Sequence, residues 1–136
     1  MERILGIDLG DARVGVAVSD ELGMLAHPVK TIAVRDGDLV EHICELTANY
    51  QAAEIVVGVP RNMDGSRGPA AQKALEFIET LRMKVSCRIV PWDERLSTMQ
   101  AQRQLHESGR KSRQHRAVID QAAAQIILQS YLDSRL

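Results

Sequence analysis

One short run of residues constrains the fold more strongly than any other part of the sequence. Residues 55–59 read Ile-Val-Val-Gly-Val without a polar side chain, and Pro60 follows them directly. A continuous apolar run of this length is typical of a strand that is buried on both faces of a sheet. Such a strand needs helices packed above and below it, so the run predicts a layered α/β fold.

The segments around this run supply the other strands and the helices. The predicted strands are residues 4–9, 13–19, 25–34, 54–59 and 86–92. The predicted helices are residues 38–50, 69–85, 97–107 and 117–134. A tight connection at residues 10–12 joins the first two strands as a hairpin, and Pro28 marks the third as an irregular or edge strand. This order predicts a mixed sheet with helices on both faces.

Size and composition fit one domain with an aliphatic core. The chain has 136 residues, of which 45% are apolar and only four are aromatic, so a base-stacking platform built from several aromatic side chains is not expected. Two widely separated cysteines do not make a disulfide framework. The N-terminus lacks a signal-peptide pattern, and no apolar run approaches the roughly 20 residues of a membrane span. We therefore expect a cytoplasmic protein without a membrane partner.

The charge is distributed unevenly along the chain. The formal net charge is −1, but residues 95–116 carry six basic side chains against Glu107 alone, a net charge of +5. A basic segment on an otherwise acidic protein is typical of a site for an anionic polymer such as nucleic acid. A solvated helix face followed by a basic loop at residues 110–116 would give the same pattern, so this segment alone does not decide the function.

Four carboxylates stand at positions where chemistry is expected. Asp8 lies inside an apolar strand, where a charge is costly unless it is paired or binds a metal. Asp93 and Glu94 follow the last strand directly, at a point where α/β proteins collect functional residues. Asp120 falls in the first turn of the apolar face of the last helix. The other side of that helix, which is expected to face water, carries Gln121, Gln125 and Gln129.

Carboxylates of this kind favour Mg²⁺ or Mn²⁺, because hard cations prefer oxygen ligands. Metal ions held by three acids at one sheet edge would activate a water and stabilise the leaving 3′-oxygen of a phosphodiester. The basic segment would neutralise the flanking phosphates, so the pattern favours a metal-dependent nuclease. The simpler alternatives are a strand-end Asp that bonds the hairpin turn and helix-start acids that balance the helix dipole.

Five motifs stand in order along the chain and together resemble one known family. They are GIDLG at 6–10, RVGVAVSD at 13–20, GVPRNMDGS at 58–66, WDERLST at 92–98 and DQAAAQIIL at 120–128. On these motifs the chain resembles the bacterial YqgF family, which is also described as Holliday-junction-resolvase-like and as pre-16S rRNA nucleases. The resemblance spans nearly the full length of the chain.

The resemblance implies a single RNase H-like nuclease domain over residues 1–136, with sheet order 3-2-1-4-5. It implies an Mg²⁺- or Mn²⁺-dependent endonuclease that matures the 5′ end of 16S rRNA. Its catalytic and metal-binding acids fall on Asp8, Glu94 and Asp120, with Asp93 as a helper. Resolvases of this fold carry an acid at the end of the fourth strand, where this chain has none. Asp64 is the alternative ligand there, although Asp64-Gly65 is also a turn sequence.

The substrate and partners follow from the same resemblance and from the basic residues. The predicted nucleic-acid-binding residues are Arg13, Asn62, Arg95, Arg110, Lys111, Arg113 and Arg116. The expected substrate is structured RNA, namely pre-16S rRNA, and a DNA four-way junction is the close alternative. Ribosomal or processing-factor partners and a monomer or weak dimer are expected. Alternatives of other classes are a non-catalytic RNA-binding or transcription-associated factor and, from the motif at 6–10, a nucleotide-binding ATPase.

Overall fold

Five strands and three helices are described in the computed structural model of this chain. It describes residues 2–62, 64–97 and 113–136, with the backbone alone over residues 113–121. The strands are β1 (Arg3–Leu9), β2 (Arg13–Ser19), β3 (Ala26–Ala33), β4 (Ala52–Val59) and β5 (Arg88–Asp93). The helices are α1 (Leu39–Tyr50), α2 (Pro69–Arg82) and α3 (Arg113–Ser134). Short 3-10 turns cover Val34–Asp36 and Glu94–Leu96.

The strands form one mixed sheet in the order β3-β2-β1-β4-β5. The two hairpin pairs, β1 with β2 and β2 with β3, are antiparallel, whereas β1 with β4 and β4 with β5 are parallel. This arrangement confirms the predicted order. Pro28 lies in the edge strand β3, where the pairing with β2 shifts register between Val16 and Ala17, as expected for a residue that cannot donate a backbone hydrogen bond.

Two apolar layers hold the helices against the two faces of the sheet. α1 and α2 cover one face and bury side chains such as Ile43 and Ile78. α3 covers the other face and buries Ala124, Ile127 and Leu128. The buried side chains of both layers are almost all aliphatic, as the composition predicts. Among the residues that the structure describes, no helix combines the length and apolarity that a membrane span requires.

Several element boundaries differ from the sequence prediction, and two of the differences have identifiable reasons. α1 begins at Leu39 rather than at Asp38, because the Asp38 carboxylate caps the helix and accepts from the backbone N–H of Val40 at 2.9 Å. α3 begins at Arg113, so the predicted basic loop at 110–116 is wrong over its second half, where Arg113 and Arg116 lie on a helix. The helix predicted at 97–107 falls mostly outside the described residues.

α3 approaches the sheet closely at two glycines. A Cβ at Gly6 of β1 would lie 2.6 Å from the Cβ of Leu128 and 3.2 Å from the carbonyl oxygen of Ala124. A Cβ at Gly58 of β4 would lie 2.6 Å from Cδ1 of Ile127. Because a Cβ less than 3.0 Å from another atom forces that atom to shift, Gly6 sets the height of α3 above β1, and Gly58 leaves room for the Ile127 side chain over β4.

Glutamines on α3 bind the edge strand instead of facing water, which corrects the prediction for two of the three. The side-chain amide of Gln125 donates to the carbonyl of Ala26 at 3.0 Å. That of Gln129 accepts from the backbone N–H of Ala26 and donates to the carbonyl of Met24, both at 2.9 Å. These bonds attach α3 to the start of β3, whose backbone groups would otherwise have no ladder partner there.

Candidate active site

Asp8 lies at the carboxyl end of β1, on the face of the sheet that α3 covers. Its side chain is only 3% exposed. Successive side chains of a strand alternate between faces, so Asp8 shares the face of Gly6, and Gly6 lies directly under α3. The residue opposite Asp8 on β2 is Gly15, which leaves the space beside the carboxylate free of a Cβ.

The carboxylate of Glu94 reaches the same face from the next strands of the sheet. Glu94 opens the 3-10 turn that follows β5 and is 1% exposed. Its Cγ lies 3.4 Å from the position that a Cβ on Gly58 would take. Gly58 follows Val57, which pairs with Ile7, so Gly58 and Asp8 are neighbours on parallel strands about 4.8 Å apart. Asp8 and Glu94 therefore meet at one edge of the sheet.

Arg13 joins these two acids at the same edge. It begins β2, and its side chain lies on the face of Asp8, diagonal to it across the antiparallel pair. Asp8, Arg13 and Glu94 each take part in polar or electrostatic interactions within the protein. An arginine on the same face as Asp8 and diagonal to it offsets part of the cost of burying that carboxylate.

Asp120, the third predicted acid, lies on α3, and its side chain is outside the described part of the chain. α3 runs antiparallel to β4. The Tyr131 hydroxyl bonds Glu54 at the start of the strand, and Ile127 packs against Gly58 near its end. Two further turns toward the N-terminus carry the backbone of position 120 to the edge at which Asp8 and Glu94 lie. That the carboxylate of Asp120 joins them stays a prediction.

Asp93 holds the turn that carries Glu94. Its carboxylate accepts from the backbone N–H of Arg95 at 2.9 Å and binds the Arg95 guanidinium through Nη2 at 2.7 Å and Nε at 3.1 Å. Hydrogen bonds from Arg95, with the charges of Arg95 and Arg61, hold the pKa of Asp93 below its usual range. These contacts give Asp93 a positioning role, and they engage Nε and Nη2 of Arg95, a residue that was predicted to bind nucleic acid.

The loop between β4 and α2 is held together by hydrogen bonds among its own residues. The Asp64 carboxylate accepts from the backbone N–H and the hydroxyl of Ser66, at 2.9 and 2.6 Å, and these bonds lower its pKa. Asn62 donates its side-chain amide to the Ser66 hydroxyl at 2.9 Å. Gly65 has a φ of +87°, as a turn at Asp64-Gly65 requires. Asp64 is thus engaged in the turn, which supports the turn interpretation over the alternative metal ligand.

Arg61, which was not among the predicted site residues, lies between this loop and Asp93. Its Nε is 3.8 Å from the Asp93 carboxylate, and its Nη1 donates to the carbonyl of Gly65 at 3.4 Å. The signal available in the sequence was its position directly after Pro60, at the carboxyl end of β4.

Of the basic residues that were predicted to bind nucleic acid, Arg110 and Lys111 lie outside the described residues, and only the backbone of Arg113 and Arg116 is described.

The described donors fit a hard divalent cation. Asp8 and Glu94 contribute carboxylate oxygens and are buried together, an arrangement that Mg²⁺ and Mn²⁺ prefer. No group of three or more His, Cys, Asp or Glu side chains suited to a metal occurs within the described residues, among which the Asp120 side chain is not counted. The fit therefore rests on two of the three predicted acids.

Comparison with solved structures identifies the fold. Thermus thermophilus RuvC in complex with a Holliday junction substrate superposes with a TM-score of 0.57 over 99% of this chain and 96% of that chain, at 13% sequence identity. A second Thermus thermophilus RuvC structure gives a TM-score of 0.55 at 12% identity, covering 98% of this chain and 95% of that chain. The fold of this chain is therefore RNase H-like, as the sequence motifs imply.

Sequence comparison identifies the family. A protein from Acetivibrio thermocellus is 43% identical over 136 residues, 98% of this chain and 96% of that protein. One from Halothermothrix orenii is 47% identical over 133 residues, 96% and 94% of the two chains, and one from Bacillus thuringiensis is 43% identical over 98% and 99%. All three carry the name "Putative pre-16S rRNA nuclease". The family model described as "RuvX: Holliday junction resolvase" matches residues 2–134. The resemblance inferred from five motifs is thereby confirmed, and the chain belongs to the RuvX family.

Proposed function

We propose that this protein is a divalent-metal-dependent endonuclease that hydrolyses a phosphodiester bond of pre-16S rRNA. The observation that carries the proposal is the pair of buried carboxylates, Asp8 and Glu94, at one edge of an RNase H-like sheet. Burying two acids costs free energy unless a cation or hydrogen bonds compensate, so the burial of both carboxylates at one place supports a chemical role. The substrate is supported by the name that the relatives carry.

In this proposal Asp8, Glu94 and Asp120 hold the metal ion. Mg²⁺ or Mn²⁺, when bound, activates the attacking water and stabilises charge on the leaving oxygen. The burial of Asp8 and Glu94 strengthens their attraction for a cation, because the effective dielectric constant is low there. Asp93 acts as a helper by fixing the turn through Arg95, which keeps the Glu94 backbone in one orientation before substrate binds.

The proposed substrate contacts surround this centre. Arg13 lies on the face of Asp8, which supports its proposed contact with the phosphate being cleaved. The other proposed contacts are Asn62, Arg95, Arg110, Lys111, Arg113 and Arg116. Phosphate contacts by Lys and Arg supply most of the affinity for nucleic acid and make it dependent on salt. We further propose that the protein acts in the cytoplasm with ribosomal or processing-factor partners.

A cleavage assay tests the proposal. A 16S precursor fragment containing the 5′ processing site is incubated with the protein in Mg²⁺, Mn²⁺ or EDTA. The proposal predicts a discrete product in Mg²⁺ or Mn²⁺ and none in EDTA. Cleavage that persists in EDTA, or no cleavage in either metal, contradicts it.

The second candidate function is the resolution of DNA four-way junctions. The description of the matched family model favours it, and the chemistry at Asp8 and Glu94 would be the same. A synthetic junction belongs in the same assay, because a resolvase cuts two strands symmetrically and acts as a two-fold dimer. Cleavage of the junction but not of the RNA would replace the proposed substrate. Unchanged cellular function in an Asp8→Asn strain would favour a non-catalytic RNA-binding factor instead.

A further inference from the structure

A small cavity opens on the other side of the sheet edge that carries Asp8 and Glu94. Its volume is about 250 Å³, and Val59, Leu75 and Asp93 contribute to its wall, so it lies on the face covered by α1 and α2. Two arginines, Arg61 and Arg67, also line it. The volume is below the roughly 300–1,000 Å³ of small-molecule pockets, which suits one anionic group better than a whole nucleotide.

Arg61 has a hydrogen-bond donor without an acceptor at this cavity. Its Nε is buried and has no hydrogen-bond partner among the described residues. The Asp93 carboxylate is 3.8 Å away, beyond hydrogen-bond distance, and already binds Arg95 at 2.7 Å. The Arg61 side chain is 29% exposed, so its guanidinium can be reached from the cavity although Nε itself is covered.

Arg67 adds a second cation at this cavity. It is exposed and forms no ion pair with any residue whose side chain the structure describes. A phosphate accepts parallel hydrogen bonds from arginine, so two arginines that line one cavity are suited to bind it. Asp93 is the one carboxylate among the described residues of the cavity wall, and it is bound more closely by Arg95, at 2.7 Å, than by Arg61.

We propose that Arg61 and Arg67 form a binding site for a backbone phosphate of the nucleic-acid substrate, next to the phosphate that is cleaved. The inference rests on the proposed nucleic-acid substrate. Asp93 and Glu94 are consecutive residues that face opposite sides of the sheet edge, Asp93 toward the cavity and Glu94 toward Asp8. A nucleic-acid chain that crosses this edge presents one phosphate to the acids and a neighbouring phosphate to the two arginines.

Binding of RNA measured without cleavage tests the site. A fluorescein-labelled single-stranded 16S precursor fragment is titrated in EDTA, over a range of salt concentrations, with wild type, Arg61→Gln, Arg67→Gln and the double variant. Each single substitution is expected to weaken binding about tenfold, as the loss of one charged hydrogen bond does. It is also expected to reduce the slope of log K against log salt by about 0.7. Arg61→Lys is expected to keep the slope, because it keeps the charge.

Arg82→Gln is the matched control. Arg82 is half-exposed at the far end of α2 and pairs only with Glu79, at 3.8 Å, among the described residues, so its loss should change neither affinity nor slope. No RNA binding by wild type, or wild-type affinity and slope in the double variant, would overturn the proposal. Because Arg67 is exposed, its variant separates lost binding from lost folding.

Inorganic phosphate distinguishes the source of the anion. If phosphate alone shifts the guanidinium NMR signals of Arg61 while the double variant binds RNA as wild type does, the site takes free phosphate and the nucleic-acid assignment is overturned. RNA binding that depends on both arginines, in a protein that cuts no substrate, would remove the proposed nuclease activity and leave this site standing. The two proposals therefore fail in different experiments.

Discussion

Gly6 of β1 and Leu128 of α3 set how closely the last helix lies on the sheet: a Cβ on Gly6 would stand 2.6 Å from the Cβ of Leu128. Leu128 is fully buried, and the carbonyl of Ala124 is also only 3.2 Å from that position. The contact therefore involves backbone and Cβ atoms, which cannot move without moving the helix. Because α3 also carries Asp120, this spacing affects the candidate site as well as the core.

The two close glycines are expected to differ in their tolerance of alanine. Gly6→Ala must lift α3 and should lower the free energy of unfolding by about 2–3 kcal/mol, at the upper end of overpacking costs. Gly58→Ala meets Cδ1 of Ile127, the far end of a flexible side chain, and should cost about 1 kcal/mol. Urea unfolding of both variants measures the difference. Equal losses would show that α3 adjusts as easily over β1 as over β4.

Asp93 is expected to stabilise the fold only when it is ionised. Its folded-state pKa is depressed, so its contribution is present above the unfolded pKa near 4 and is lost as the pH falls through the folded pKa. Asp93→Asn keeps a cap but loses the ion pair with Arg95, at a cost of about 0.5–1 kcal/mol at pH 7. Unfolding experiments at pH 7 and pH 3 check this. A deficit in the variant that does not shrink in acid would contradict the ion-pair account.

The hydroxyl of Tyr131 is expected to matter for stability and not for cleavage. It donates to Glu54 at 3.1 Å, at the end of the sheet opposite to Asp8. Tyr131→Phe should cost about 1–2 kcal/mol, as expected for a hydrogen bond to a charged group. Burial and the bond to Glu54 raise the pKa of Tyr131, so wild type gains this stability below pH 10 and loses it as the pH rises through the folded pKa. The difference in the free energy of unfolding between wild type and Tyr131→Phe should therefore shrink in alkali. A difference that persists there would contradict a stabilising hydrogen bond from the Tyr131 hydroxyl.

Gln129 is expected to protect the amide of Ala26. Gln129→Ala leaves the backbone N–H of Ala26 without its acceptor, on a residue that is only 4% exposed. An unsatisfied buried donor should cost about 1–3 kcal/mol and speed hydrogen exchange at Ala26. Gln72→Ala, on the exposed surface of α2, is the matched control and should change neither. Unchanged exchange at Ala26 in Gln129→Ala would show that β3 is held by β2 alone.

The sequence predicts the fold well where apolar periodicity decides it. The run at 55–59 gives β4, and the alternation of strands and helices gives the mixed sheet, because burial on both faces leaves few other arrangements. The glutamines of α3 could not be placed in this way. Periodicity assigns Gln125 and Gln129 to the polar side of a helix, but it does not reveal that β3 offers unpaired backbone groups to that side.

The sequence likewise predicts some residues of the candidate site and not others. Asp8 and Glu94 stand out in sequence, because one interrupts an apolar strand and the other ends one. The position of Asp93 beside Glu94 does not reveal that the two side chains face opposite sides of the edge, since that depends on the turn at 94–96. Arg67 lacks any distinguishing pattern along the chain, and the position of Arg61 after Pro60 does not reveal that the cavity between β4, β5 and α2 brings the two arginines together.

The most direct test of the account is the single-turnover rate of cleavage of the 16S precursor fragment in Mg²⁺. Asp8→Asn and Glu94→Gln should each lower the rate at least about 100-fold, because each removes a carboxylate that is proposed to hold the metal. Asp11→Asn is the matched control, since Asp11 is fully exposed and pairs with Lys73. Cleavage should be lost in Asp8→Asn and Glu94→Gln and should proceed at the wild-type rate in Asp11→Asn. Wild-type cleavage by Asp8→Asn or Glu94→Gln would contradict it.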